Sequence, residues 1–215
     1  MDTRDYWSIE NLKYVEPHFR LQKIARTLVR LAQGKNSDLL DIGCGPAALA
    51  KLLPSIFNYF GIDIAIRAPA PNLIELDIIN DEIVFANKNF DFVVASGLFE
   101  YLGKHQRKKL AEIRHVTRDS GYFVMSYVNF GHLSKRIWPN YSNVQPIALI
   151  RKDIESFFVI TGMFSTFHNR VGTEPKRRII QQIQAGLGFS LPIISPLFAV
   201  EFIFVCAPKP LNPRR

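Results

Sequence analysis

Cysteine is nearly absent: the 215 residues hold two, Cys44 and Cys206. A disulfide scaffold is therefore excluded. Two cysteines cannot by themselves furnish a four-ligand zinc site, so no metal is expected. An unbroken apolar run of membrane-spanning length is also missing. The nearest, residues 187–206 (LGFSLPIISPLFAVEFIFVC), carries one charge, Glu201, but Gly188, Pro192 and Pro196 interrupt it. The remainder, LFAVEFIFV, is short and rich in aromatic and β-branched residues, and it reads as a buried strand. The N-terminus, MDTRDYWSIE, lacks the apolar core of a signal peptide, which places the chain in the cytoplasm. Acidic residues are scarce in one half only. Residues 1–102 hold 10 basic and 13 acidic side chains, whereas residues 103–215 hold 17 and 6. A basic half attracts nucleic acid, an anionic surface or an anionic small molecule, or simply keeps the chain soluble.

What is present describes a folded chain. Hydrophobic residues make up 47% and charged residues 21%, which excludes disorder. Residues 5–33 read as two helices divided by Pro17, the second with an apolar face at Leu21, Ile24, Ala25, Leu28, Val29 and Leu31. Short apolar runs then alternate with helical patterns. DLLDI, NYFGIDIA, LIELDI, FDFVVAS and YFVMSYV read as strands. PAALAKLL reads as a helix with Pro46 in its first turn, and residues 103–117 as a helix striped by Leu110, Ile113 and Val116. Asp119, Ser120 and Gly121 read as a turn. Farther on, RKDIESFF and PKRRIIQQIQAG read as helices and FSTFHNRV as a sixth strand, before LFAVEFIFV closes the chain. Alternation of this kind predicts a parallel sheet covered on both faces by helices.

The most informative stretch is Leu39-Leu40-Asp41-Ile42-Gly43-Cys44-Gly45-Pro46-Ala47. An apolar strand runs into a glycine turn, where missing side chains let backbone approach a ligand. Asp63 ends the next strand, 22 residues after Asp41, where a nucleotide-binding crevice places the acid that accepts from ribose hydroxyls. Asp77 follows 14 residues later, at the end of the third strand. Asp41 and Asp77 also suit a structural task, capping the turns that follow them. Cys44 has no base as an evident partner and reads as a small buried residue.

In this order, LLDIGCGPA, YFGIDI, LIELDI and FDFVVASGLFEYL resemble the class I S-adenosylmethionine-dependent methyltransferases, over about Asp38 to Val128. The usual third glycine of that family's loop is Ala47 here, a small residue. An NAD-linked fold is the chemical rival, but its G-x-G-x-x-G pattern, begun at Gly43, meets Ala48 at the sixth position. The resemblance implies an α/β, Rossmann-like, doubly wound seven-stranded sheet, mostly parallel with an antiparallel last strand. It implies S-adenosyl-L-methionine as cofactor. Asp41 would help orient the loop near the methionine amino end, and Gly43 and Gly45 would let the backbone pass the methionine. Asp63 would hold the ribose, with Ile64 flanking the adenine. Asp77 would accept from the adenine amino group beside Ile78, and Ser96, Gly97 and Leu98 would border the methionine and the substrate. The chain is expected to form one domain over 1–215, with a helical lid at 1–36, a cofactor-binding core at 38–128 and acceptor-side segments at 129–215.

The acceptor site is less legible. Glu100 and Tyr101 follow the fourth strand, where related enzymes often carry a histidine in place of Tyr101. His132 lies just past the fifth strand and suits either a base or a turn. These three are the candidate catalytic residues. Lys104, Arg107, Lys108 and Lys109 read as a solvated helix face. Lys135, Arg136 and Lys176-Arg177-Arg178 would overhang the carboxyl edge of the sheet, suiting an anionic small-molecule acceptor. No nucleic-acid-binding module is recognisable, so nucleic acid is not the expected partner. FVMSYVNFGH and PLFAVEFIFV resemble the MetW-type branch, which implies a protein partner and a regulatory role as the alternative function.

Overall fold

The computed structural model describes residues 3–10, 15–17, 19–66, 68–85, 88–129, 145–166 and 201–210. Two helices open the chain, α1 (Thr3–Glu10) and α2 (Phe19–Ala32). Four strands follow: β1 (Ser37–Ile42), β2 (Phe57–Asp63), β3 (Leu73–Glu75) and β4 (Phe90–Ala95). The helix α3 (Gln106–Val116) leads into β5 (Thr117–Val128), α4 (Ile147–Glu155) into β6 (Phe158–Thr166), and β7 (Glu201–Pro208) completes the sheet.

The seven strands lie in the order β3-β2-β1-β4-β5-β7-β6. All pairs from β3 to β5 are parallel, and β7 runs antiparallel to both β5 and β6. Alternate side chains of each strand face opposite sides of a sheet. Leu40 and Ile42 of β1 join Val93, Leu110, Ile113, Ile150 and Ile154 in one core layer, under α3 and α4. Leu39 joins Val94, Val124 and the buried stripe of α2, Ile24 and Leu28, in the other. Burying each such side chain contributes about 1.5–3 kcal/mol, so both faces need a cover. The chain starts at β1, moves outward through β2 and β3, then returns to β4 on the far side of β1. That reversal opens a crevice at the carboxyl ends of β1 and β4.

Four local expectations are corrected. PAALAKLL forms no α-helix: successive turns lead to a single 3-10 turn, Ala50–Leu52. Ala47 has φ +53°, a left-handed conformation that no right-handed helix accommodates. Asp119, Ser120 and Gly121 lie inside β5, at an irregularity where pairing jumps from Phe90↔Thr117 to Phe92↔Tyr122. The sixth strand begins at Phe158, ahead of FSTFHNRV, because α4 stops at Glu155 and Phe158, Val159, Ile160 and Thr161 favour extended backbone; residues 167–171 of that run lie outside the described residues. Lys109 is no solvated residue. It is 1% exposed, 2.7 Å from the Glu112 carboxylate, and donates to the Asp81 carbonyl. Lys104, Arg107 and Lys108 are exposed as expected.

Residues 201–208 of the last apolar run are strand, and no helix among the described residues is long and apolar enough to cross a membrane. The helix expected over PKRRIIQQIQAG, and the residues His18, His132, Lys135, Arg136, His168 and Lys176-Arg177-Arg178, lie outside the described residues.

Candidate active site

The loop after β1 is built by backbone. Gly43 and Cys44 both donate to the Ile62 carbonyl at the end of β2, at 2.8 and 3.1 Å. Gly43 and Gly45 have φ of +72° and +52°, the left-handed region that favours glycine. A Cβ on Gly43 would also sit 3.2 Å from Leu98 Cδ1, so the loops after β1 and β4 touch there. Ala47 shares the left-handed conformation. What matters at this position is therefore conformation as well as size: alanine adopts the left-handed backbone at a steric cost that glycine would not bear.

Asp63, the last residue of β2, is buried and braces that loop. Its Oδ2 accepts from Gly45 N at 2.8 Å and its Oδ1 from Ala65 N at 3.0 Å. An ionised carboxylate offers about four acceptor positions and donates none, which suits it to backbone N–H groups and hydroxyls alike. Asp41 is 3% exposed, and its Oδ2 accepts from the Tyr59 hydroxyl at 2.8 Å. Burial, reinforced by the charge of Asp63, pushes the Asp41 carboxyl up to about 7, against the opposing effect of the Tyr59 bond. Burial also pushes the Cys44 thiol up, with the charges of Asp41 and Asp63 adding to it. Cys44 is therefore a buried thiol and no ready nucleophile.

Asp77 takes up the capping task. Its Oδ1 accepts from Ile79 N and Asn80 N, and its Oδ2 from the Asn80 side chain. Ile78 beside it is buried, and Ile64 is half-buried. Past β4, Gly97 N donates to Ser126 Oγ at 2.9 Å, and the buried Ser96 hydroxyl has no hydrogen-bond partner among the described residues. Glu100 is 1% exposed. Its Oε1 accepts from Val128 N at 2.8 Å, while Oε2 finds no partner among the described residues. Burial, with the charge of Glu201 adding to it, pushes the Glu100 carboxyl up to about 7.

All of Asp41, Gly43, Gly45, Asp63, Ile64, Asp77, Ile78, Ser96, Gly97 and Leu98 line one cleft, and Glu100 and Tyr101 line it too. His132 is the one candidate the structure does not bring to it, lying outside the described residues. Two participants, Tyr59 and Arg20, were not foreseen. Tyr59 reaches Asp41 from β2; its place two residues before Gly61, the register partner of Asp41, was the available signal. Arg20 lines the cleft from α2 and pairs with Glu201 at 2.7 Å. Its spacing of four from Ile24 and eight from Leu28 puts it on the buried face of that helix. Trp7 of α1 also lines the cleft and meets Tyr101 edge-to-face, with centroids 4.8 Å apart.

A crevice at the switch point, walled by strand-end carboxylates and left-handed glycine backbone, suits a nucleoside that carries positive charge. The pattern of the methyltransferase-domain family matches residues 17–153, and the chain belongs to that family. It is a class I S-adenosylmethionine-dependent methyltransferase. Solved structures share the fold at low identity. A chain from the complex containing the Haloferax volcanii Trm112 methyltransferase activator aligns with a TM-score of 0.67 at 15% identity, covering 99% of this chain and 100% of that one. An S-adenosylmethionine-dependent methyltransferase from Clostridium acetobutylicum aligns at 0.60 and 14% identity, over 88% and 90% of the two chains. The N-methyltransferase NodS from Bradyrhizobium japonicum, in complex with S-adenosyl-L-homocysteine, aligns at 0.59 and 14% identity, over 95% and 99%. No curated protein sequence matches.

Proposed function

We propose that the chain transfers the methyl group of S-adenosylmethionine to an oxygen or nitrogen atom of a small acceptor whose remainder is anionic. The observation carrying this reading is the convergence of the strand-end acids, the glycine loop and the post-β4 residues on one cleft. The N-methyltransferase activity of NodS supports keeping nitrogen among the acceptor atoms. The surplus of basic residues in 103–215 supports an anionic remainder.

When bound, the cofactor supplies a methyl group already activated by its sulfonium. The chain's own residues then have to bind, orient and exclude water. Asp63, a buried carboxylate at the end of β2 that lines the cleft, holds the ribose hydroxyls as their acceptor. The Asp77 segment and the Ile64 and Ile78 side chains enclose the adenine. Gly43 and Gly45 give the methionine room beside bare backbone, and Asp41 faces its amino end. Ser96, Gly97 and Leu98 border the methionine and the acceptor, with Glu100 and Tyr101 beyond them. Residues 1–36 act as the lid. Support for this comes from α1, which bridges the two sides of the crevice: Arg4 pairs with Glu75 at the end of β3 at 2.6 Å, while Trp7 sits on Tyr101.

Calorimetry with S-adenosylmethionine, on the native chain and Asp63→Ala, tests the cofactor assignment. We expect affinity to fall at least about tenfold, because the charged acceptor of the ribose bonds is gone. Unchanged affinity in a folded variant sinks the assignment. Release of S-adenosylhomocysteine across a panel of small acceptors tests the transfer.

A further inference from the structure

The charge of the cleft does not match its cofactor. Among the described residues its lining holds four carboxylates, Asp41, Asp63, Asp77 and Glu100, against one guanidinium, Arg20. That guanidinium is itself 2.7 Å from the Glu201 carboxylate. S-adenosylmethionine brings a sulfonium, an ammonium and a carboxylate, one net positive charge, so negative charge remains in excess after it binds.

The excess has a location. Asp41 and Asp63 lie at the ends of β1 and β2, and Asp77 follows β3, all on the cofactor's side of the crevice. Glu100 stands apart, after β4, next to Tyr101 and hydrogen-bonded to Val128 at the end of β5. Its second carboxylate oxygen is buried and without a partner among the described residues, a costly arrangement that a proton or a ligand's positive charge offsets. The same cleft holds an aromatic corner. Trp7 and Tyr101 both line it and meet at 89°, and Tyr6 packs edge-to-face with Trp7 with centroids 5.2 Å apart. Perpendicular rings present electron-rich faces to a common corner, and such faces attract cations.

The geometry points to an amine: the acceptor's reacting atom is an amine nitrogen, held as ammonium in the corner of Trp7 and Tyr101 with Glu100 behind it. This rests on the methyltransferase reading above and narrows its oxygen-or-nitrogen choice to nitrogen. An anionic remainder of the acceptor is compatible with it, since only the amino end occupies the acidic corner. The step balances. The ammonium loses one proton to water, and the freed lone pair forms the N–C bond to the methyl carbon. The C–S bond breaks with its electron pair going to sulfur, leaving a methylammonium product and neutral S-adenosylhomocysteine. Arg20, the guanidinium in the lining, is already paired with Glu201, so Glu100 offers an ammonium a charge that an alcohol cannot meet.

The test uses the full chain saturated with S-adenosylhomocysteine, whose own binding is measured first. Benzylamine, benzyl alcohol and benzoate share one ring and differ in the group offered. Each is titrated calorimetrically near neutral pH. We expect benzylamine to bind about tenfold more tightly than either of the others, with the margin reduced in Trp7→Ala and in Glu100→Gln. Trp7 is half-buried on a short helix, so its removal is readable even if the Glu100 variant folds poorly. Equal affinities, absent binding of all three, or preference for benzyl alcohol or benzoate overturns the amine assignment. Failure of S-adenosylhomocysteine to bind instead overturns the cofactor reading, and the two failures are seen in separate titrations.

Discussion

Ala47 holds a conformation that costs an L-residue about 1–2 kcal/mol and costs glycine almost nothing. Glycine gives back part of that through the greater freedom of its unfolded chain. Ala47→Gly is therefore expected to stabilise the protein by roughly 0.5–1 kcal/mol, read from urea denaturation. A loss of stability would show that the left-handed turn is mistaken. The adjacent carboxylates teach a different lesson. Asp63 and Asp77 have similar places in the sequence, but Asp63 braces the loop after β1 while Asp77 caps its own turn. Both line the same cleft, so lining and capping proved compatible in one residue.

Among elements, α2 is tied down by its apolar stripe and by the ion pair of Arg20 with Glu201 of β7. Glu201 is buried, so Arg20→Ala removes a guanidinium from beside a buried carboxylate and is expected to cost roughly 3 kcal/mol. The ion pair of α1, Arg4 with Glu75, is largely exposed on both sides, and Arg4→Ala should move stability by less than about 1 kcal/mol. Parallel denaturation curves of the two variants check the contrast; equal effects would contradict it. In β5 the irregular segment is locked by Gly121. A Cβ there would lie 2.6 Å from the Asp91 carbonyl oxygen and 3.1 Å from those of Phe90 and Arg118. These are backbone atoms of β4 and of β5 itself, which cannot swing aside as a side chain would, so Gly121→Ala should destabilise by roughly 1–3 kcal/mol, measured as a lowered denaturation midpoint.

At the scale of the whole molecule, two buried carboxyls set a pH dependence. Asp41 and Glu100 are raised to about 7 in the fold, from ordinary values of 3.8 and 4.5. Between those limits the folded chain keeps protons that the unfolded chain has released. Their contribution to stability is thus complete below the unfolded values and is lost as pH rises through about 7. Asp41→Asn is expected to flatten that decline, seen as a smaller drop of the urea midpoint from acidic to neutral pH than in the native chain. An unchanged slope would mean that Asp41 ionises normally in the fold.

How much could be read beforehand differs by element. The strand-end motifs, the alternation and the apolar runs located β1, β2 and β4 closely, because a strand buried on both faces leaves a continuous apolar signature. The helix expected over PAALAKLL failed because its propensity is high while the conformation of Ala47 is imposed by the loop anchored on Ile62. The solvated reading of Lys109 failed because a helix face is known to be covered only once its neighbours are placed.

The sequence by itself determined the succession of the first five strands along the chain, the glycine turn and the places of Asp41, Asp63 and Asp77 at or just past strand ends, since these depend on local pattern and spacing. Only the tertiary structure decided that Arg20 meets Glu201, 181 residues away. It also decided that Tyr59 holds Asp41, and that Trp7 closes against Tyr101 beside a carboxylate with an unmatched oxygen. Those partners are distant along the chain, and what brings them together is the burial of α2 and of both sheet faces, which no local spacing records.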